Sequence, residues 1–390
     1  MRIACVTDEP LPSLDTATVQ VVQTLSALVR AGARVDLYLP VPLRGPRPDP
    51  DTLKAALVER YATTCGFDIH LLPGTVSEIR AIDKPAQAAL AFRASTDRRY
   101  DLLYSRLVLP MLGALGRRRP VLFETYRPLI RQFPLTRRPF RIAARRPHFL
   151  GIVTHSDYSR RSFEEEGLPP EKLRTIYNGY DDGLFAEQLS PSEARAALDM
   201  PQRPTLVYAG RIAPFKQIDL VIDAYARLKD RMPEVQLVLA GANDTSEARP
   251  LIERARTLGD VITPGYLTGQ RFARTLMAGD VLTIPPSARP LAEFGNTVLP
   301  IKTFQYLAAG RAMVVGDTPD TAELLHDEQN SLRVKPDDPR AYVDAIERAF
   351  TDDALRSRLG EAARHRAEDL TWDARADRLL GFMGERLSAM

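Results

Sequence analysis

The sequence predicts an α/β protein made of two domains, each built on a parallel sheet. At 390 residues the chain is long enough for two domains of ordinary size. Short apolar runs alternate along it with segments whose apolar residues recur at helical spacing, which is typical of βαβ units. Prolines interrupt this alternation at about residues 183–202, and the alternation then restarts. We therefore expect the domain boundary there.

The composition is that of an ordinary globular protein, with 44% hydrophobic and 26% charged residues. The sequence contains no run of eighteen apolar residues, so no membrane-spanning helix is predicted. Asp8 interrupts the N-terminal segment before an apolar stretch typical of a signal peptide develops. Cys5 and Cys65 lie in apolar surroundings without a CxxC motif, so we expect buried thiols in a reducing compartment. These features predict a cytoplasmic protein.

The first half begins with a βαβ pattern. Residues 2–7 and 34–39 are strand candidates, and the apolar stripe between them ends at Gly32, a helix-stop signal. Neither a GxGxxG nor a Walker GxxxxGK[ST] motif occurs, which argues against a dinucleotide dehydrogenase and a P-loop NTPase. Residues 40–51 are rich in proline and predict a loop. The sequence Asp49-Pro-Asp51 within them matches a metal-binding DxD only by chance.

Three further strands are predicted in this half, at residues 101–104, 121–123 and 151–155. The second of them leads into Glu124-Thr125-Tyr126. After the third, Ser156 has the character of a helix N-cap, and the helix is expected to end at Gly167.

The second half opens with a strand at residues 205–209, a loop that contains Pro214, and a helix at residues 217–230. Arg211 and Lys216 lie beside the start of that helix, where free N–H groups and the helix dipole already favour anions. Arginine can bind phosphate oxygens in a fork and lysine adds a point charge, so a diphosphate clamp is one interpretation. Two solvated surface charges on an ordinary α/β unit are the simpler one. Strands at 235–239, 260–263 and 281–284 and a helix after Trp372 complete the pattern.

Three segments resemble motifs of one enzyme family. Gly210-Arg211 followed by Lys216 is similar to a donor-diphosphate motif, and Lys172 to Asp181 with Phe185 resembles the KI-x-VI-x-NGVD signature. Lys302, Tyr306, Ala308 and Gly310 match a P-x-K-x-x-E-Y-x-A-x-G segment. On these motifs the chain resembles the retaining GT-B glycosyltransferases of family GT4.

The resemblance implies a GT-B fold, in which two Rossmann-like domains face each other across a cleft. Residues 1–185 would form an acceptor-binding domain and residues 200–372 a domain that binds a nucleotide sugar. A C-terminal helix at 373–390 would cross back onto the first domain. The implied activity is metal-independent transfer of a sugar from a nucleotide sugar to a hydroxyl acceptor, with no further cofactor.

The resemblance also assigns site residues. Glu293 would be a catalytic carboxylate, and Tyr126 would face the acceptor. The donor-binding positions are Gly210, Arg211, Lys216, Tyr266, Leu267, Thr297, Val298, Lys302 and Gln305. Tyr266 and Leu267 would lie against the nucleotide base, and a helix that opens near residues 296–300 would add N–H donors.

The chain departs from the family pattern at five positions. Asp15 and Thr16 stand where many members have two glycines, and Tyr126 replaces a histidine. Gln305 replaces the second carboxylate of an E-x7-E pair, and Thr297 occupies the position of the first, with Glu293 four residues upstream. Two alternatives therefore remain open: a nucleotide-sugar epimerase, and a binding or scaffold protein that has lost its chemistry.

Residues 117–146 form an arginine-rich segment with ten arginines, a single acidic residue and several large apolar residues. Such a pattern is compatible with nucleic acid, with an anionic membrane surface, or with a solvated face. Since no nucleic-acid fold signature accompanies it, we favour the membrane over nucleic acid. A lipid-linked acceptor and peripheral contact at the inner face of the plasma membrane are the corresponding hypotheses. Residues 1–180 carry a net charge of +9 and residues 181–390 a net charge of −6.

Overall fold

The structure is a computed structural model, and it describes residues 1–9, 11–13, 15–42, 48–75, 99–294 and 298–390. The chain divides into two units. The first comprises Met1–Asn178 and Trp372–Met390, and the second comprises Gly179–Thr371. The helix that begins at Trp372 therefore belongs to the first unit, although it follows the whole of the second unit in the sequence.

The first unit is built on a seven-stranded parallel sheet in the order β3-β2-β1-β4-β5-β6-β7. Its strands are β1 (Arg2–Val6), β2 (Arg34–Pro42), β3 (Asp68–Thr75), β4 (Leu102–Ser105), β5 (Val121–Thr125), β6 (Phe149–Thr154) and β7 (Leu173–Thr175). Its helices are α1 (Thr16–Arg30), α2 (Pro50–Tyr61), α3 (Val108–Gly116), α4 (Leu129–Gln132), α5 (Arg137–Ala144), α6 (Asp157–Glu164) and α15 (Trp372–Ser388). Helix α15 packs against α1 and β6.

The second unit is built on a six-stranded parallel sheet in the order β10-β9-β8-β11-β12-β13. Its strands are β8 (Thr205–Ala209), β9 (Gln236–Ala240), β10 (Val261–Gly265), β11 (Val281–Ile284), β12 (Ala312–Gly316) and β13 (Leu332–Val334). Its helices are α7 (Pro191–Ala196), α8 (Ile218–Arg231), α9 (Ala248–Arg256), α10 (Gly269–Met277), α11 (Arg289–Phe294), α12 (Lys302–Ala309), α13 (Pro339–Thr351) and α14 (Asp353–Ala367).

Most residues of the inner strands in both sheets are buried, and β8 is buried at all five of its residues. Helices cover both faces of a parallel sheet, so its strands contain continuous apolar runs rather than alternating ones. The apolar stripe of α8, from Ile218 to Leu228, packs with β8 and β9 in the main core of the second unit. The described residues include no helix long and apolar enough to cross a membrane.

Two details differ from the expectations, and a third explains the DxD match. Residues 40–51 are not one loop, because β2 extends to Pro42 and α2 begins at Pro50. The side chain of Asp49 caps that helix by accepting a hydrogen bond from the backbone N–H of Thr52 at 2.9 Å, which gives this aspartate a structural role. Cys5 is buried as expected, whereas Cys65 is only partly buried.

Candidate functional site

Gly210 ends β8 and begins the loop that carries the predicted diphosphate clamp. Its φ angle is +146°, in a region that favours glycine. A Cβ atom at this position would lie 2.6 Å from Nζ of Lys302 and 3.3 Å from Oη of Tyr208. The φ angle therefore favours glycine here, and any other side chain would have to displace the ammonium group of Lys302.

Lys302 is the first residue of α12, and its ammonium group lies over the ring of Tyr208, 3.8 Å from the ring centroid. A cation over the face of an aromatic ring is attracted by the ring quadrupole. Tyr208 is held in place because its hydroxyl donates to the backbone carbonyl of Arg211 at 2.9 Å. Burial, and secondly repulsion from Lys216, hold the pKa of Lys302 well below its ordinary value.

Arg211 and Lys216 lie on either side of Phe215 in sequence, and both approach its ring. The guanidinium carbon of Arg211 is 5.1 Å from the ring centroid and Nζ of Lys216 is 5.2 Å from it. Desolvation, and secondly repulsion from Arg211, lower the pKa of Lys216. Arg211 also donates to a carboxylate oxygen of Glu247 at 3.2 Å, through an exposed ion pair that contributes little in water.

Together, Arg211, Lys216 and Lys302 form what we call the cation cluster. Within the part of the chain that the structure describes, no carboxylate lies within 4 Å of the ammonium group of Lys216 or Lys302. The three side chains are all cationic, and the pKa values of Lys216 and Lys302 are lowered by burial and by a neighbouring cation, so an anion of high charge would balance them. A diphosphate would relieve this repulsion, and each lysine would regain a full charge on binding it.

The other predicted donor-binding residues are dispersed around this unit. Gln305 is half-buried on α12, one turn after Lys302. Tyr266 and Leu267 follow β10, which β9 separates from β8, and Tyr266 is exposed. Val298 is exposed, and Thr297 lies outside the described residues. Helix α12 begins at Lys302, slightly later in the sequence than residues 296–300, where we expected it to open.

Glu293, the predicted catalytic carboxylate, lies on the short helix α11. Its side chain is exposed and forms an ion pair with Arg289, one turn earlier on the same helix. The structure brings no residue of the cation cluster into an ion pair with Glu293. Its catalytic role therefore stays a prediction.

The first unit places Tyr126 directly after β5, where its half-buried ring lies near two guanidinium groups. The guanidinium carbon of Arg127 is 4.4 Å from the ring centroid and that of Arg106 is 5.2 Å from it. His155, which follows the neighbouring strand β6, has its ring centroid 6.4 Å from that of Tyr126. Tyr126 therefore stands in a cationic environment, and no carboxylate among the described residues forms a hydrogen bond with its hydroxyl.

Beneath Tyr126 lies a buried network around Glu124. One carboxylate oxygen accepts from Arg375 at 2.6 Å, the other is 3.0 Å from Nε2 of His155, and the hydroxyl of Tyr104 donates to the group as well. Burial alone would raise the pKa of Glu124, but Arg375, His155 and Arg106 together lower it. Glu124 is therefore ionised and is a structural counter-ion rather than a base.

His155 in this network is neutral, since burial lowers its pKa to about 4 despite the nearby carboxylate. Its Nδ1 atom lies 3.2 Å from the amide nitrogen of Asn178, which can only donate. The proton of the neutral ring is therefore assigned to Nε2, which donates to Glu124. The imidazole is held in one tautomer by partners on both sides.

Sequence reasoning missed several residues that shape these sites. Tyr208 and Phe215 provide the aromatic surfaces for the cations, and Arg375 supplies the charge that neutralises Glu124. Tyr208 lies in an apolar run whose pattern predicts only a buried strand. Arg375 is one of several arginines on the last helix, and nothing in the sequence distinguishes it from the others. The described residues contain no group of three metal-ligating side chains.

Family models match both halves of the chain. The model described as Glycosyltransferase Family 4 matches residues 17–184, and the model described as Glycosyl transferases group 1 matches residues 203–352. Among curated proteins, the chain is 29% identical over 225 residues to the alpha-D-kanosaminyltransferase of Streptomyces kanamyceticus. The match covers 56% of this chain and 55% of that protein. It is 28% identical over 236 residues to the D-inositol 3-phosphate glycosyltransferase of Salinispora arenicola. That match covers 56% of this chain and 51% of the relative. The chain thus spans about half the length of the curated relatives it matches.

Solved structures with the same fold cover the whole chain. The Anabaena protein HepE in complex with UDP has a TM-score of 0.74 and 17% identity, with 99% of this chain and 100% of that chain covered. Sucrose-phosphate synthase from Thermosynechococcus elongatus has a TM-score of 0.75 and 18% identity, with both chains covered completely. At these identities the similarity establishes a shared fold of two Rossmann-like units, each with a parallel sheet and interleaved helices.

Proposed function

Because the chain belongs to glycosyltransferase family 4, we propose that it transfers a sugar, with retention of configuration, from a nucleotide sugar to a hydroxyl acceptor. The cation cluster of Arg211, Lys216 and Lys302 is the observation that carries the proposal. Two lysines with lowered pKa and no carboxylate partner among the described residues need an anion to balance them. The diphosphate of a nucleotide sugar supplies that charge, and a solved neighbour, HepE, was crystallised with UDP.

The chemistry that this cluster would support is departure of the nucleoside diphosphate. As the bond between the anomeric carbon and the diphosphate oxygen breaks, negative charge grows on the leaving group and positive character grows on the sugar. Fixed cations aimed at the leaving group stabilise that separation of charge. The acceptor oxygen forms the new bond to the anomeric carbon, and its proton passes to the departing diphosphate. We propose that side chains balance the diphosphate charge without a metal ion, so that turnover should persist in EDTA.

The donor assignment is tested by titrating the purified protein with UDP and GDP and by following hydrolysis of UDP-, GDP- and ADP-sugars. We expect one nucleotide to bind, and Lys216→Ala to weaken its binding by roughly tenfold to a hundredfold, as loss of a charged contact of about 1.5–3 kcal/mol implies. Lys335→Ala is the matched control, since this exposed lysine lies outside the cluster. Normal nucleotide binding by the Lys216→Ala protein would remove the cluster from the donor site.

A protein that binds nucleotide sugars without transferring them is the second candidate. Tyr126 and Gln305, which replace a histidine and a carboxylate of the family pattern, favour it. Tight nucleotide binding combined with neither hydrolysis nor transfer, across a panel of sugars and acceptors, would support this binding or scaffold role.

We further propose that the acceptor is lipid-linked and that the protein contacts an anionic membrane peripherally, from the cytoplasmic side. Phe133, Leu135 and Ile142 support this, because these large apolar side chains are exposed and Leu135 is 93% exposed. They lie within the arginine-rich segment, in which Arg138, Arg145 and Arg146 are exposed as well. Exposed apolar side chains among cations are suited to the headgroup region of an anionic bilayer.

A further inference from the structure

A second cationic site lies at one edge of the sheet in the first unit. Strands β1, β4, β5 and β6 are neighbours in that sheet, and their carboxyl ends lie at the same edge. The residues that follow β4 and β5 are Arg106, Tyr126 and Arg127. In open α/β sheets, ligands bind outside the carboxyl ends of the strands. We call these three residues the Tyr126 stack.

Arg106 brings a positive charge into this edge that its surroundings do not fully cancel. Its side chain is 10% exposed, and it donates to the backbone carbonyl of Ala17 at 3.2 Å and to the side chain of Gln20 at 3.1 Å. Both of those partners are neutral. Glu124 is 3.9 Å away, but that carboxylate is already bound at shorter distance by Arg375 and His155.

Arg127 adds the second charge. It is half-buried, its Nη1 atom donates to the neutral side chain of Gln132 at 3.2 Å, and its guanidinium lies over the ring of Tyr126. No carboxylate in the described ranges lies within 4 Å of its guanidinium. Desolvation and repulsion from Arg106 lower its pKa, and attraction to Glu9 only partly offsets this. Among the described residues, the hydrogen bonds of the two arginines go to neutral groups, and their shortest approach to a carboxylate is the 3.9 Å between Arg106 and Glu124.

We infer that the Tyr126 stack binds a phosphate group carried by the acceptor, with Arg106 and Arg127 sharing its oxygens. This inference rests on the proposed function, since it assigns the anion to the acceptor. We assign the donor diphosphate to the cation cluster of the second unit, and we assign the cations of the first unit to a second anionic substrate group. Arginine guanidinium groups match phosphate oxygens in pairs, and stacking on Tyr126 holds the donors in fixed planes.

The test measures binding of inorganic phosphate to the full-length protein saturated with UDP, by calorimetry. We expect the unmodified protein to bind phosphate, Arg127→Ala to weaken that binding at least tenfold, and Arg127→Lys to weaken it less. Arg34→Ala is the matched control, because this exposed arginine lies at the amino end of β2, the opposite edge of the same sheet. Arg34→Ala should bind phosphate like the unmodified protein.

Failure of UDP to bind in the first step counts against the proposed function alone. The phosphate inference is overturned if the unmodified protein binds no phosphate or if Arg127→Ala binds it equally well. Competition then identifies the source of the phosphate group. Displacement by soluble glycerol 3-phosphate indicates a small soluble acceptor. Displacement only by vesicles that contain phosphatidic acid indicates a lipid headgroup, and displacement by neither contradicts the inference.

Discussion

The ammonium group of Lys302 lies only 2.6 Å from the point that a Cβ atom on Gly210 would occupy. The loop after β8 therefore packs against the start of α12, and Gly210 and Lys302 make the contact. The lysine fills the space above Tyr208 because the glycine leaves it open, and this contact places the third cation of the cluster.

Gly210→Ala should therefore displace Lys302 and strain the backbone. We expect a loss of about 1–3 kcal/mol in the free energy of unfolding, since the residue has a positive φ angle and the new methyl group collides with the amine. Nucleotide affinity should fall as well. Denaturant titration and UDP calorimetry measure the two effects.

Gly381→Ala is the control. Gly381 lies in α15, and no atom lies within 4 Å of the position that its Cβ would take. Alanine there should raise the free energy of unfolding by about 0.5–1 kcal/mol.

Binding of UDP should become weaker as the pH rises above the lowered pKa of Lys302. In the free protein this lysine loses its proton more easily than an ordinary lysine, and a bound diphosphate restores the ordinary pKa. Complex formation at alkaline pH must therefore take up a proton. Calorimetry at a series of pH values, each in two buffers of different ionisation enthalpy, measures that uptake. A smaller uptake is expected for Lys302→Met, and identical uptake in both proteins would assign the proton elsewhere.

The buried network of Glu124 and His155 should make the first unit sensitive to acid. Burial lowers the pKa of His155 from its ordinary 6.5 to about 4, so the unfolded chain binds more protons between these values. Stability is therefore present above pH 6.5 and is lost as the pH falls towards 4. The lowered pKa of Glu124 acts in the same direction at still lower pH. Urea unfolding at pH 7.5 and pH 5 should show a loss on the order of 2 kcal/mol.

A His155→Gln protein is the comparison for that measurement. It should be less stable at pH 7.5, because the buried Nε2–H donor to Glu124 is disturbed, yet it should lose less stability between pH 7.5 and pH 5. An equal pH dependence in both proteins would show that His155 does not titrate in this range.

Glu293→Gln tests whether this exposed carboxylate has a catalytic role. We expect transfer to fall at least tenfold, about 1.4 kcal/mol in the activation barrier, because the positive character of the sugar loses a nearby negative charge. The ion pair with Arg289 is exposed, so its loss should barely affect stability. Glu361→Gln, at an exposed position on α14, is the control. Full turnover by Glu293→Gln would exclude the residue from the site.

Much of the fold could be predicted from the sequence. The strands Thr205–Ala209 and Val281–Ile284 coincide with their predicted ranges, because buried parallel strands are short and uniformly apolar. Short edge strands could not be predicted in this way. Leu173–Thr175 and Leu332–Val334 have only three residues each, with an arginine in the middle, and their pairing depends on neighbours that the local pattern does not reveal.

The candidate sites were predictable only where one segment contains the whole signal. Gly210, Arg211 and Lys216 lie within seven residues, so a motif could identify them. The contact of Lys302 with Tyr208, and that of Arg375 with Glu124, join residues that are far apart in the chain; the second pair is 251 residues apart. No periodicity or spacing rule connects such residues, because their proximity follows from how the elements pack.

Contact with an anionic membrane through the arginine-rich segment is the last prediction. Co-sedimentation with vesicles that contain phosphatidylglycerol should show binding that weakens as salt rises, because each arginine contributes about 1 kcal/mol near the surface and salt screens it. Leu135→Glu should reduce binding about tenfold, since it removes the most exposed apolar side chain and adds a repelled charge. Val58→Glu, a similar change at an exposed residue of α2, should bind like the unmodified protein. Equal binding to neutral and anionic vesicles, or binding to neither, would make the segment a solvated surface and favour a soluble acceptor.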